Sequence, residues 1–279
     1  GASLAAYAAR AGLKCVVATF AGTAGPMPSQ IRKYGGKLLP TTAKTDRWAL
    51  LEEGASRHGW FVPSPYRAPV VGSHPLGIEG YKTIAYEMVE QCGGSAPDWC
   101  VLPVCYGDGL AGIWAGFEEL LAAKIIDRTP RMVAAEVHGS LLDALTHNLD
   151  HPAVQAMKFD TMAISIGAPQ STFQALNALR KSEGCAVQVT NDGLIAMQER
   201  LARSEGIFAE LAAVTPLLAI EKLCGDGTIA PTDRVVALIT ASGLKDLDRS
   251  MSDDQSGSPF ANTNEAWAWL KDSNTDIMG

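Results

Sequence analysis

The segment Val101-Leu102-Pro103-Val104-Cys105-Tyr106-Gly107-Asp108-Gly109-Leu110-Ala111-Gly112 sets an apolar run directly before a glycine-bearing turn, and a helical pattern follows at once. Glycines let main-chain N–H groups approach an anion closely, and the first turn of a helix adds roughly half a positive charge. The chemistry on offer is capture of a phosphate. A tight strand-to-helix turn that binds nothing has the same sequence. Gly107, Gly109 and Gly112 match the dinucleotide pattern G-x-G-x-x-G, and Glu136 closes the next strand near the spacing of about 20 residues at which an acid meets a ribose hydroxyl. One reading is therefore an NAD(P)-dependent oxidoreductase. The turn comes late for that reading, after what looks like a complete α/β unit.

No other reactive residues form a set. Cysteines at 15, 92, 100, 105, 185 and 224 include no C-x-x-C pair, which excludes zinc-ribbon and thioredoxin-like chemistry. Cys15, Cys100, Cys105 and Cys185 lie in apolar, strand-like runs and read as small buried residues in a reducing, cytoplasmic compartment. The histidines show no H-E-x-x-H motif. His147 and His151 are spaced i, i+4, but the stretch between them reads as a helix end, so no metal site is expected. With 30 acidic against 23 basic residues the net charge is −7, which argues against nucleic acid or an anionic membrane as partner. No apolar run approaches the ~20 residues needed to span a bilayer. An apolar fraction of 47% excludes a disordered chain.

The elements that must hold the turn alternate between strand and helix. Strands are expected at Leu13–Thr19, Lys37–Leu39, Gly59–Tyr66, Trp99–Val104, Arg131–Val137, Cys185–Thr190 and Arg234–Thr240. Helices are expected over Pro28–Tyr34, Asp46–His58, Ile78–Cys92, Leu110–Ala123, Ser140–Leu149, Ser171–Glu183, Asp192–Ser204 and Ala212–Leu223. This is an α/β fold with mainly parallel sheets and right-handed crossovers, in which ligands sit at the carboxyl ends of strands. The Gly93–Pro97 linker divides a smaller unit (1–97) from a larger one (98–249), and a polar, partly disordered tail (250–279) follows. The opening residues read as the middle of a helix and lack the pattern of a secretory leader, so sequence is expected to be missing before Gly1.

Four segments in order carry a further signal. They are Gly1-Ala2-Ser3-Leu4-Ala5-Ala6-Tyr7-Ala8-Ala9-Arg10-Ala11-Gly12, Glu79-Gly80-Tyr81-Lys82-Thr83, the turn Cys105-Tyr106-Gly107-Asp108-Gly109, and Ile239-Thr240-Ala241-Ser242-Gly243-Leu244-Lys245-Asp246. Together they resemble the tryptophan-synthase-β-like (fold type II) pyridoxal-phosphate enzymes, and within them the threonine-synthase-like group. The resemblance covers residues 1 to about 246. It implies two three-layer α/β/α domains and pyridoxal 5′-phosphate as cofactor. Main-chain groups of Cys105 to Gly109, with Leu110, would hold the phosphate. Thr240 would meet the pyridine nitrogen, with Ser242 as second candidate, and a neutral hydroxyl there leaves that nitrogen unprotonated. The implied reaction is a lyase-type elimination or replacement at the β or γ carbon of an amino acid. Its product is threonine, or a 2-oxo acid plus ammonia as in threonine/serine dehydratases and diaminopropionate ammonia-lyase. A homodimer is the implied assembly. Ser3, Ser73 and His74 are the substrate-binding candidates.

The chain departs from that family at four points. The Schiff-base lysine, carried in relatives on an S-F-K-D-R-like segment upstream of the first motif, has no counterpart here, so this chain alone is expected to be inactive and marginally stable. Asp108 stands where relatives often have Gly. A carboxylate there repels a phosphate unless it turns away, and capping of the Leu110 or Ala111 N–H is the expected outlet. In Val71-Gly72-Ser73-His74-Pro75-Leu76-Gly77-Ile78, Gly77 replaces the arginine that reads a substrate phosphate, which weakens the case for phosphohomoserine. Glu210-Leu211-Ala212-Ala213 replaces E-P-S-S and removes two hydroxyls.

Overall fold

The computed structural model describes residues 1–21, 25–42, 46–64, 73–245, 247–250 and 260–272. The chain begins with α1 (Ala2–Arg10), β1 (Val16–Phe20), α2 (Pro26–Lys33), β2 (Lys37–Thr41) and α3 (Asp46–His58). β1 and β2 pair in parallel, Val16 opposite Lys37. α1 and α2 bury Ala2, Ala5, Ala8 and Ile31 with Cys15 in a small core of their own.

Next come α4 (Pro75–Glu79), α5 (Lys82–Gln91), β3 (Trp99–Pro103), α6 (Asp108–Ala122), β4 (Arg131–Glu136), α7 (Ser140–Thr146), α8 (Phe173–Lys181), β5 (Cys185–Gln188), α9 (Leu194–Glu205), α10 (Thr215–Gly225) and β6 (Val235–Ala237). The short α11 (Leu247–Ser250) and α12 (Thr263–Asp272) end the described chain. The four strands form one parallel sheet in the order β5-β4-β3-β6. Alternation explains its two faces. Cys100, Leu102, Met132 and Ala134 pack under α5, α6, α7 and α8, whereas Trp99, Val101, Val133 and Ala135 pack with α9 and α10. A strand apolar on both sides can sit only inside such a sandwich. The division expected at 97/98 separates the two sheets, while α5, which precedes it, packs against the larger one.

Several elements differ from their sequence expectation. Residues 59–64 form no strand: Pro63 cannot donate to a ladder, and the Trp60 ring folds back onto Gly54, where a Cβ would lie 2.2 Å from it. Residues 65 and 66 lie outside the described set. The single helix expected at 78–92 is two, α4 and α5, broken at Gly80 and Tyr81. The break lets Ile78 O approach α6 so closely that a Cβ on Gly112 would meet it at 2.5 Å. β6 leaves the ladder after Leu238, whose N–H still reaches Val101 O at 2.9 Å, so Leu238–Thr240 become cavity wall rather than strand. In the tail, 260–272 includes α12, and residues 251–259 and 273–279 lie outside the described set. Among the described residues no helix is long and apolar enough to cross a membrane.

Candidate active site

The sheet order creates the site. From β3 the chain steps to β4 and β5 on one side, then returns to lay β6 on the other side of β3. The carboxyl ends of β3 and β6 therefore face one crevice at a topological switch point. There a cavity of about 540 Å3 is lined by Cys105, Tyr106, Gly107, Asp108 and Gly109 after β3 and by Leu238, Ile239 and Thr240 after β6. Tyr81, Ser165, Glu210 and Ala212 complete its polar and small lining.

At one end of the cavity, α6 starts on Gly107, whose φ of 93° only glycine adopts without strain. A Cβ there would also lie 2.3 Å from Ala175 Cβ. No side chain caps α6, so the N–H groups of its first turn are left for a ligand. The turn is held from below. Ser171 Oγ and Thr172 N donate to Tyr106 O at 3.0 and 3.1 Å, and Ser171 N donates to Ser140 Oγ at 2.9 Å. Ser140 in turn lies within 3.5 Å of Glu136 Oε2.

Asp108 does not cap its own helix, contrary to expectation. Its two oxygens accept from Ser73 N (3.1 Å) and Ser73 Oγ (2.7 Å), drawing the charge away from the turn. The reason is geometric: in the first turn of α6 rather than at its N-cap, Asp108 projects sideways toward the segment before α4. Burial, with Asp108 nearby, pushes the Tyr81 hydroxyl above its ordinary range, and burial does the same to the Cys105 thiol and to Tyr106.

Glu136 is not in the cavity lining. It is buried, and it caps the start of α7 by accepting from Leu142 N at 2.7 Å and Leu141 N at 3.1 Å. Gly112 and Gly116 are spent on packing, since a Cβ on either would strike α4 or α5. Of the G-x-G-x-x-G match, Gly107 serves the turn, Gly112 lets α4 approach α6, and a Cβ on Gly109 would meet Tyr81 only at ordinary contact distance (3.7 Å), while Glu136 points away from the cavity into the α7 cap.

Six of the expected cofactor residues, Cys105, Tyr106, Gly107, Asp108, Gly109 and Thr240, share the one cavity. Ser242 stands outside its lining and accepts from Leu244 N at 3.3 Å. Ser3 is exposed on α1, Ser73 is committed to Asp108, and His74 caps α4 by accepting Leu76 N at its Nδ1 (3.2 Å). None of these three lines the cavity; Val71 and Gly72 lie outside the described set. Sequence reasoning assigned no role to Tyr81, Ser165 or Glu210. The available signal was Glu210 at the first position of the run that replaces E-P-S-S.

The uncapped helix, the turn closed to any Cβ and the facing hydroxyl residue fit a compact ring bearing one phosphate ester. Comparison with known proteins agrees. Residues 1–241 match the model of the family described as pyridoxal-phosphate dependent enzyme. The chain is 33% identical over 259 residues to a threonine synthase of Mycobacterium tuberculosis, covering 92% of this chain and 69% of that one. It is 32% identical over 255 residues to a threonine synthase of Methanocaldococcus jannaschii, and there it spans 61% of the relative's length. A fungal L-serine ammonia-lyase from Rhizomucor miehei has the same fold, with a TM-score of 0.72 at 21% identity over 89% of this chain and 76% of that one. On sequence, architecture and cavity alike, the chain belongs to the pyridoxal-phosphate-dependent enzyme family.

Proposed function

We propose that the chain forms the cofactor-binding body of a threonine-synthase-like lyase acting at the β or γ carbon of a small amino acid. The observation that carries this is the meeting of Thr240 with residues 105–109 in one cavity. Pyridoxal phosphate, when bound, supplies an electron sink for charge developing on the substrate α carbon. The residues of this chain do the rest. First-turn N–H groups of α6 hold the phosphate ester, and the hydrogen-bonded support from Ser140, Ser171 and Thr172 keeps the turn in place before the ligand arrives. Thr240 would offer a neutral hydroxyl to the ring nitrogen. Apolar walls from Leu102, Ile113, Ile166 and Ile239 exclude water from the ring. The relatives named threonine synthase support this reading.

The test is a binding comparison that needs no lysine. Pyridoxine 5′-phosphate is expected to bind at least about tenfold more tightly than pyridoxine or NADH, because only the ester engages α6. NADH binding as tightly overturns the proposal. Borohydride reduction of protein loaded with pyridoxal phosphate is expected to leave every lysine of residues 1–279 unlabelled. A stoichiometric pyridoxyl-lysine would place the aldehyde-binding lysine within residues 1–279. With an S-F-K-D-R-type segment joined ahead of Gly1, release of threonine, or of a 2-oxo acid with ammonia, is expected from amino acids bearing a β- or γ-leaving group.

A further inference from the structure

Beyond its turn and hydroxyl residue, the cavity is lined by Glu210, whose cationic partner Lys245 stands behind the lining. Phe208–Glu210 lies antiparallel to Ala241–Gly243. Glu210 N donates to Ala241 O, Gly243 N donates to Phe208 O, both at 3.0 Å, and Ala209 bridges Ser242. This pairing sets Glu210 beside the end of the chain segment that carries Thr240. Glu210 is 4% exposed, and its Oε2 accepts from Lys245 Nζ at 2.7 Å and from Ser165 Oγ at 3.1 Å. Lys245 Nζ also lies 3.4 Å from Ser165 Oγ.

Among the described residues lining the cavity there are two carboxylates, Asp108 and Glu210. Asp108 is consumed by Ser73 at the turn end. Glu210 is therefore the carboxylate at the Thr240 end. A carboxylate near a pyridine nitrogen favours its protonated form, and a compensating cation cancels that effect. A protonated ring is a stronger electron sink and opens transamination-like side reactions. A neutral ring does not.

We propose that Lys245 is a positioning residue that ties up Glu210 in an ion pair, leaving Thr240 as the group that meets the ring nitrogen and keeping the ring uncharged. This rests on the cofactor reading above. The other titratable groups around the cavity are Tyr81, Cys105 and Tyr106 with Asp108 at the turn end, and Arg47 acts on Tyr106. They are common to every variant below and cannot set the order among them.

The experiment uses pyridoxine 5′-phosphate, which has no aldehyde and so reports on the ring alone. Ring-nitrogen protonation in the bound ligand is followed against pH by ultraviolet absorbance and 15N NMR. Lys245→Met is expected to raise the apparent ring-nitrogen pKa by about one unit, the effect of one uncompensated charge within a cavity at an effective dielectric near 20. Glu210→Gln is expected to lower it, since the ammonium then stands alone. The double variant, neutral at both positions, should return to the wild-type value, and Lys245→Arg should match wild type. If Lys245→Met does not fold, Glu210→Gln and Lys245→Arg still decide. Equal ring protonation in wild type and Glu210→Gln, with the ligand bound in both, overturns the inference and leaves the cofactor reading standing. No binding of pyridoxine 5′-phosphate to wild type overturns both.

Discussion

At the scale of single residues, Gly107 bears two constraints that no other side chain meets together. Its φ of 93° disfavours any Cβ, and the space a Cβ would take belongs to Ala175. Gly107→Ala should cost about 1–3 kcal/mol of stability and reduce affinity for pyridoxine 5′-phosphate by about tenfold or more. Adding Ala175→Gly removes the steric contact but not the backbone strain, so chemical denaturation should show partial recovery while calorimetry shows affinity still depressed. Full recovery of affinity in the double variant would mean that the contact, and not the conformation, shapes the turn. Asp108 teaches the complementary lesson. Its charge in the turn after β3 was visible in the sequence, but its partner, Ser73, is remote in the chain and was invisible there.

At the scale of elements, the turn after β3 is braced by the start of α7 and the start of α8. The anchor is Glu136, buried at the end of β4 and facing the N-terminus of α7. Burial raises its carboxyl above the ordinary glutamate range, and the hydrogen bonds from Leu141, Leu142 and Ser140 only partly offset this. The folded state therefore binds the proton more tightly than the unfolded chain. The resulting stability is fully present below the unfolded value of about 4.3 and is lost as pH rises through the raised folded value. Denaturation midpoints of wild type and Glu136→Gln, compared over that window, should show a fall with pH in wild type that the glutamine variant lacks. Parallel curves would show that Glu136 titrates alike in both states. The alternation of strands and helices was legible because both faces of β3 and β4 are apolar. The break between α4 and α5 was not, because it answers to Gly112 on another helix.

At the scale of the whole molecule, the cavity joins segments far apart in the chain, at the carboxyl ends of the neighbouring strands β3 and β6. A ligand held there binds only the fully assembled sheet, with β6 in place beside β3. Saturation with pyridoxine 5′-phosphate at 100 times its Kd should stabilise the fold by about 2.7 kcal/mol. The melting temperature should rise by roughly 5–10 °C for a unit of this size, and pyridoxine without the ester, bound at least about tenfold more weakly, should give at most about half that shift at equal concentration. A shift confined to one phase of a two-phase melt would show that β6 docks independently of the rest.

The order of elements, the fold class and the chemical character of the turn at 105–109 were written in local pattern alone, because apolar alternation and glycine placement act over a few residues. Which distant residues would share the cavity was settled by the return of β6 to the far side of β3, a pairing that no local pattern encodes. The same return brought Lys245 against Glu210. Charge at the Thr240 end of the cavity is therefore a property of the assembled sheet: an ion pair forms where the chain folds two remote segments side by side, and its strength depends on the burial that only the tertiary structure creates.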